Sequence, residues 1–289
     1  MTTQQQPPIT TSAAHFASLH APGNPLVLPN IWDLASLNTV LSLNTSSPET
    51  PSPVRAVATA SYAIAATLGL ADADLSSGAN LIRIRQLAPH VRAAGLPLTV
   101  DIQDGYGNRL DEIVSAVVGA GAVGANVEDL RGDEEGEVLW SLQEQVERLK
   151  RVLKVAAENG CKDFVVNARC DVLTSAARAG AGDNAGDADE AALLREVVRR
   201  GKAYLEAGAT TVFVWGGAGR GIRDHEIRTL VTEFEGRLAV KLADGESALS
   251  VQELADIGVA RISVGPSLYF AATKAVREAA GRIVQGGRL

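Results

Sequence analysis

Two cysteines, four histidines and a single methionine in 289 residues leave little room for several classes of chemistry. Cys161 and Cys170 are too few for a disulfide framework, and no cysteine or histidine spacing forms a zinc site. A reducing, cytoplasmic compartment is the expectation that follows. Aromatic residues make up only 4% of the chain, so a core has to be built from Ala, Val, Leu and Ile. Positive charge is also short: 27 Lys and Arg against 34 Asp and Glu give a formal net charge of −7. There is no basic stripe and no interleaving of basic with aromatic residues, so neither a nucleic-acid nor a membrane partner is expected. No apolar run is long enough to span a bilayer, and Met1 to Pro8 lacks the charged-then-apolar pattern of a leader.

What the chain does have is a repeated unit. A short apolar run ends in polar or glycine residues and is followed by an amphipathic helical stretch. The runs are Pro25–Pro29, Arg55–Thr59, Leu96–Asp101, Val123–Asp129, Asp163–Arg169, Thr210–Trp215, Leu238–Leu242 and Arg261–Gly265. Near-continuous apolar strands alternating with helices predict an α/β fold, a single-domain (β/α)8 TIM barrel over residues 25–289, with 1–24 as an N-terminal extension. A doubly wound open sheet would need a glycine-rich phosphate turn after its first strand, where this chain has Pro29-Asn-Ile-Trp-Asp33. Asn44–Pro53, Asp133–Gly136 and the Ala/Gly/Asp tract Ala176–Asp189 read as loops.

The strand exits hold the chemistry. Asp101, Gln103 and Asp104 follow the third strand, Glu128 and Asp129 the fourth, and Arg169 and Asp171 the fifth. Asp72 lies in the loop region after the second. A barrel opens all of these on one face. Converging carboxylates repel one another, and a hard divalent cation relieves that; oxygen donors without His or Cys favour Mg2+, or Mn2+, over zinc. Arg169 is the natural fork for a substrate carboxylate. The plainer role for each acid is a helix N-cap, and it fits Asp111 and Asp224 best, then Asp129 and Asp171. Lys241 in the seventh strand either faces the pocket or snorkels to the rim. Cys170 is a packing residue in this reading.

These segments also carry a resemblance. Leu28–Ser36, Ala58–Tyr62, Gly69–Asp72, Val100–Gly107, Gly124–Asp129, Val166–Arg169, Ala203–Ala209 and Leu254–Ser263 are similar, in register, to the isocitrate lyase / phosphoenolpyruvate mutase superfamily. The resemblance implies a Mg2+ site that makes or breaks C–C or P–C bonds beside a carboxylate, through an enolate-like intermediate. It places Asp101 as the principal metal ligand, with Gln103 and Glu128 completing the metal set and Asp72 and Glu128 holding its waters. Arg169 becomes the substrate-binding arginine, and the backbone amides of Ser61 and Tyr62 hold a substrate carboxylate. It further implies a homo-oligomer, dimer or tetramer, with the last helix packed on a neighbour's barrel. Two departures narrow the activity. Gln103 stands where the family has a second carboxylate. The loop Leu130-Arg-Gly-Asp-Glu-Glu-Gly136 has none of the Lys-Lys/Arg-Cys-Gly-His pattern of the lyases that cleave isocitrate or methylisocitrate. The expected function is a Mg2+-dependent C–C lyase, or decarboxylase, acting on a small 2-oxo or dicarboxylic acid. The alternatives are a C–P enzyme of the phosphonomutase or phosphonopyruvate hydrolase type, with a phosphonate substrate, and a barrel that binds a carboxylate without turnover.

Overall fold

A computed structural model describes residues 9–44, 52–133, 136–178, 187–245 and 248–289. The expected alternation is present. The strands are β1 (Leu26–Leu28), β2 (Asn30–Ile31), β3 (Val57–Thr59), β4 (Leu98–Asp101), β5 (Gly124–Glu128), β6 (Leu130–Asp133), β7 (Gly136–Leu139), β8 (Val165–Cys170), β9 (Thr211–Val214), β10 (Leu238–Lys241) and β11 (Arg261–Ser263). One parallel sheet runs β1-β11-β10-β9-β8-β5-β4-β3-β2. β1 and β2 are two halves of one stave, interrupted at Pro29, whose nitrogen has no N–H to give to a ladder. The first half pairs with β11 and the second with β3, so the sheet is a barrel of eight staves joined through this broken one. Asn30 stitches the seam: its Oδ1 accepts from the amides of Val264 and Gly265, and its Nδ2 donates to the Thr59 carbonyl at 2.8 Å.

Strands such as Val57–Thr59 and Thr211–Val214 are buried on both faces, which is why their sequences read as unbroken apolar runs. The helices pack outside. Ser141 and Glu144 form a capping box for Leu142–Glu158. The helix before β4 spans Ser77–Ala93 and starts a turn before Leu81, because Ser76 supplies the N-cap. Of the acids read as caps, Asp111 pairs with Arg151 instead, and Asp224 is the first residue inside its helix, behind Arg223. Asp133 and Gly136 pair in an antiparallel ladder, β6 with β7. Residues 45–51 of the Asn44–Pro53 stretch, 134–135 of Asp133–Gly136 and 179–186 of the Ala176–Asp189 tract lie outside the described residues. Among the described residues no helix is long and apolar enough to cross a membrane.

Within the stretch read as an N-terminal extension, α1 (Ile9–Ser18) buries Ala13 and Phe16 in the core at the strands' N-terminal ends. Gly124 opens β5 without a side chain because a Cβ there would meet the Phe16 ring and the Val165 carbonyl at under 3 Å. His20 follows, edge-on to Phe16, with Nδ1 on the Phe16 carbonyl at 2.9 Å. Burial, and then the charge of Arg261, depress its pKa from 6.5 to about 3. The unfolded chain therefore binds this proton first, so its effect on stability vanishes above pH 6.5 and destabilisation grows as pH falls toward 3. We expect His20→Gln to flatten the acid limb of a urea-unfolding profile, recovering on the order of 1–2 kcal/mol at pH 5 relative to wild type. Parallel limbs would contradict the assignment.

Candidate active site

Asp101 ends β4 at the C-terminal mouth of the barrel. Its amide donates to Thr59 Oγ1 at 2.9 Å, which fixes the strand end. One carboxylate oxygen accepts from the Ser61 amide at 3.2 Å and the other from the Gln103 amide at 3.2 Å. The chain then turns hard. Gln103 and Tyr106 both adopt positive φ, 52° and 59°, which costs non-glycine residues energy and concentrates at functional sites. Gly105 sits between them at φ 86°, where a Cβ would collide with Leu110. Asp104 serves this turn: its carboxylate accepts from the Tyr106 and Gly107 amides and lies 3.7 Å from the Arg148 guanidinium. It is therefore part of the turn and not of the acid cluster.

Gln103 reaches across to Asp72, donating from Nε2 to its carbonyl at 2.8 Å and to Oδ1 at 3.3 Å. Its backbone carbonyl accepts from the Glu128 amide at 3.0 Å, so the loop after β4 is tied to the end of β5. Burial, with the charge of Asp101, raises the pKa of Asp72, against hydrogen bonds from Ser61 and Gln103. Glu128 is pushed well above the usual carboxylate range by burial; Arg169 opposes that, and Asp171, Asp101 and Asp72 add to it.

Arg169 stands beside Glu128 in the β5–β8 register. Its Nη1 is 2.7 Å from Glu128 Oε2, and its Nε and Nη2 both donate to Asp171 Oδ1, at 3.0 and 2.7 Å. The guanidinium lies 5.0 Å from the centre of the Trp215 ring, a cation–π contact. Burial works against its charge, but Asp171 and Glu128 outweigh that and raise its pKa. The order β4-β5-β8 puts Asp101 and Arg169 on one mouth, with Glu128 between them. A model of the phosphoenolpyruvate phosphomutase family matches residues 16–284. The chain belongs to that family.

Individual relatives agree. A Burkholderia cenocepacia protein with an inferred phosphonomutase assignment is 31% identical, with 97% of this chain covering 100% of that one at a TM-score of 0.79. Phosphonopyruvate hydrolase of a Variovorax species is 28% identical over 239 residues, 78% of this chain and 74% of its own length. The solved 2,3-dimethylmalate lyase, a member of the phosphoenolpyruvate mutase/isocitrate lyase superfamily, superimposes at TM-score 0.74 over 96% of this chain and 87% of its own, with 19% identity, which speaks for the barrel alone.

This phosphoenolpyruvate phosphomutase-family mouth draws together Asp72, Asp101, Gln103, Glu128 and Arg169. One sequence expectation meets a different arrangement. The Ser61 amide is occupied by Asp101 and is not free to hold a substrate carboxylate. Tyr62 is half-exposed, with its ring 5.3 Å from that of Phe270. Lys241 snorkels, as one of the two readings had it: its Nζ donates to the Leu242 carbonyl at 3.0 Å and lies 3.3 Å from Asp244. Cys170 is buried, with its thiol pKa raised by that burial.

Asp129 proves to be neither ligand nor cap. Fully buried, it accepts from the Asp171 amide at 2.8 Å, the Tyr204 hydroxyl at 2.6 Å and Arg200 Nη1 at 3.1 Å. Burial, and then Asp171, raise its pKa to about 6. The network locks Asp171, and Asp171 aims Arg169. Sequence reasoning passed over Arg200 and Tyr204, because their contacts span |i−j| of 71 and 75 and leave no local pattern.

Among the described residues no group of three or more His, Cys, Asp or Glu forms a ready-made metal cage. Gln103 contributes an amide and not a carboxylate beside Asp72, and Glu128 is held by Arg169. The donors that remain are oxygens only; burial first, and then neighbouring carboxylates, raise the pKa values of Asp72 and Glu128, and a cation would relieve the second of these. Such a set fits a hard divalent ion that keeps most of its waters and takes one carboxylate directly, with Asp101 the best placed.

Proposed function

We propose that this family member is a Mg2+-dependent lyase that breaks the bond to C3 of a small 2-oxo acid or related dicarboxylic acid, with C–C cleavage or decarboxylation as its reaction. One observation supports it above the rest: Arg169, forked between Glu128 and Asp171, shares a mouth with Asp101. Bound Mg2+ would supply Lewis acidity at the 2-oxo group. Asp101 would hold it directly, with Asp72, Gln103 and Glu128 around its waters. The chain's own residues do the rest. Arg169 turns its guanidinium toward a substrate carboxylate and fixes the C3 substituent relative to the carbonyl plane. Trp215 walls the pocket and excludes water on that side. For a 2-oxo acid that loses CO2 from C3, the electron pair of the broken C–C bond delocalises onto the 2-oxo oxygen, and C3 then takes a proton from water to give the product.

The Variovorax relative supports a second reading, in which the group lost from C3 is a phosphonate and water attacks phosphorus. Both readings share a 3-substituted pyruvate. Pyruvate release from oxaloacetate and phosphonopyruvate, corrected for the spontaneous rate with Mg2+ alone, tests them together, and phosphate release separates them. Mg2+-dependent binding of oxalate without product from either would leave a carboxylate-binding barrel and sink both.

Gln103 tunes this site. A glutamate there would face Asp72 Oδ1, now 3.3 Å from the amide nitrogen, so that two carboxylates repel until a cation arrives. We expect Gln103→Glu to bind Mg2+ on the order of tenfold more tightly by calorimetry and to melt lower without it. Equal affinities would count against Asp101 and Asp72 flanking the ion.

The assembly is a proposal of the same kind. The last helix, α12 (Ser267–Val284), has no buried residue, and Phe270, Val276, Ile283 and Val284 stand exposed along it. Its first turn is gripped, with Tyr269 edge-on to Trp32 and Phe270 to Tyr62. A second copy of this chain is the occupant we propose for that face, and light scattering that finds a monomer would refute it.

A further inference from the structure

Inside the barrel, below the mouth, lies a guanidinium that the proposed chemistry does not use. Arg261 opens β11 and is fully buried. Its Nη2 donates to Asn126 Oδ1 at 2.9 Å, its Nη1 is 3.4 Å from His20 Nε2, and its Nε has no partner. Both neighbours are neutral, one an amide and the other a histidine held unprotonated. Among the described residues no carboxylate touches this cation. Burial draws its pKa down to about 9, and Asp101 is the acid whose charge opposes that fall, so it stays charged at neutral pH.

A buried charge without a partner is strongly unfavourable unless a field of opposite sign already exists. The mouth supplies one. Asp72, Asp101, Glu128 and Asp171 surround Arg169 alone. With Arg261 added, two guanidiniums stand against these four acids. A polar layer connects the two levels. Asn126 pairs in register with Asp101 on one side and Asn167 on the other. Asn167 Nδ2 donates to Asn126 Oδ1 at 2.9 Å, and Thr211 Oγ1 donates to Asn167 Oδ1 at 2.6 Å. The same oxygen of Asn126 therefore receives both Asn167 and Arg261, which fixes the guanidinium beneath Asp101.

We infer that Arg261 is a positioning residue, a fixed internal cation that offsets the carboxylates of the mouth, weakening their hold on a divalent cation and strengthening that of the site on an anionic substrate. The inference rests on reading the mouth as a Mg2+ and oxo-acid site. Calorimetry on the full chain tests it, first with Mg2+ alone and then with oxalate at saturating Mg2+. Arg261→Met is expected to bind Mg2+ on the order of tenfold more tightly and oxalate on the order of tenfold more weakly, the scale of unit charges about 10 Å apart at an effective dielectric of about 20. Arg261→Lys keeps the charge and should keep both affinities near wild type. If Arg261→Met does not fold, Asn126→Asp cancels the cation in place and should give the same opposed shifts without a lower melting temperature. Damage to the scaffold would weaken both ligands together; that result, or no movement of either, overturns the inference. Wild-type protein that binds neither Mg2+ nor oxalate removes the reading of the mouth and the inference with it, whereas a binding wild type with unmoved variants overturns the inference alone.

Discussion

Arg169→Lys should fold and lose about 10²–10³ of kcat/KM toward whichever 2-oxo acid proves to be the substrate. The change keeps one positive charge, so the loss isolates geometry from charge. In the native site three nitrogens of Arg169 are used at once, Nη1 by Glu128 and Nε and Nη2 by Asp171, with the ring of Trp215 across the face. An ammonium cannot divide itself in that way, and it does not stack as a plane. With lysine the two acids lose their common partner, and the substrate carboxylate loses a fork of fixed orientation. Steady-state kinetics with circular dichroism as the folding control would check this. Activity within a few-fold of wild type would mean that the arginine holds the scaffold and not the substrate.

The largest stability effect should come from Asp129→Ala, which we expect to cost about 3–5 kcal/mol, the usual cost of stripping one partner from a buried ion pair. Three donors converge on this carboxylate, and the Arg200 side chain is only 8% exposed, so little water reaches what is left behind. Arg200 keeps Glu196 and the Trp140 carbonyl, which places the expectation at the lower end of that range. Urea unfolding would measure it. A cost near 1 kcal/mol would fit a helix cap, the plainer role the sequence offers for this residue, and would contradict the buried network.

That contrast shows what could be read from the chain. The barrel was legible because doubly buried parallel strands leave apolar runs, and each run ends where chemistry is exposed. Asp101, Glu128 and Arg169 stood out because charge at the end of such a run has no packing purpose. Hidden were the features made by distance. The ties from Asp129 to Arg200 and Tyr204 join elements far apart in the chain, and no local spacing encodes them. The ladder of β6 and β7 was read as an acidic loop because Leu130–Leu139 is polar and glycine-bearing, without strand alternation. Arg261 carried a signal that was passed over: a charged residue inside an apolar strand, the same cue that singled out Lys241.

Oxalate, which mimics the planar face of a 2-oxo acid, tests most directly whether the acids and the arginine form one site. Titrated by calorimetry, it should bind wild-type protein only with Mg2+ present, and binding should be lost in both Asp101→Asn and Arg169→Lys. Binding that is indifferent to the metal, or that survives either substitution unchanged, would contradict a single site built from Asp101 and Arg169.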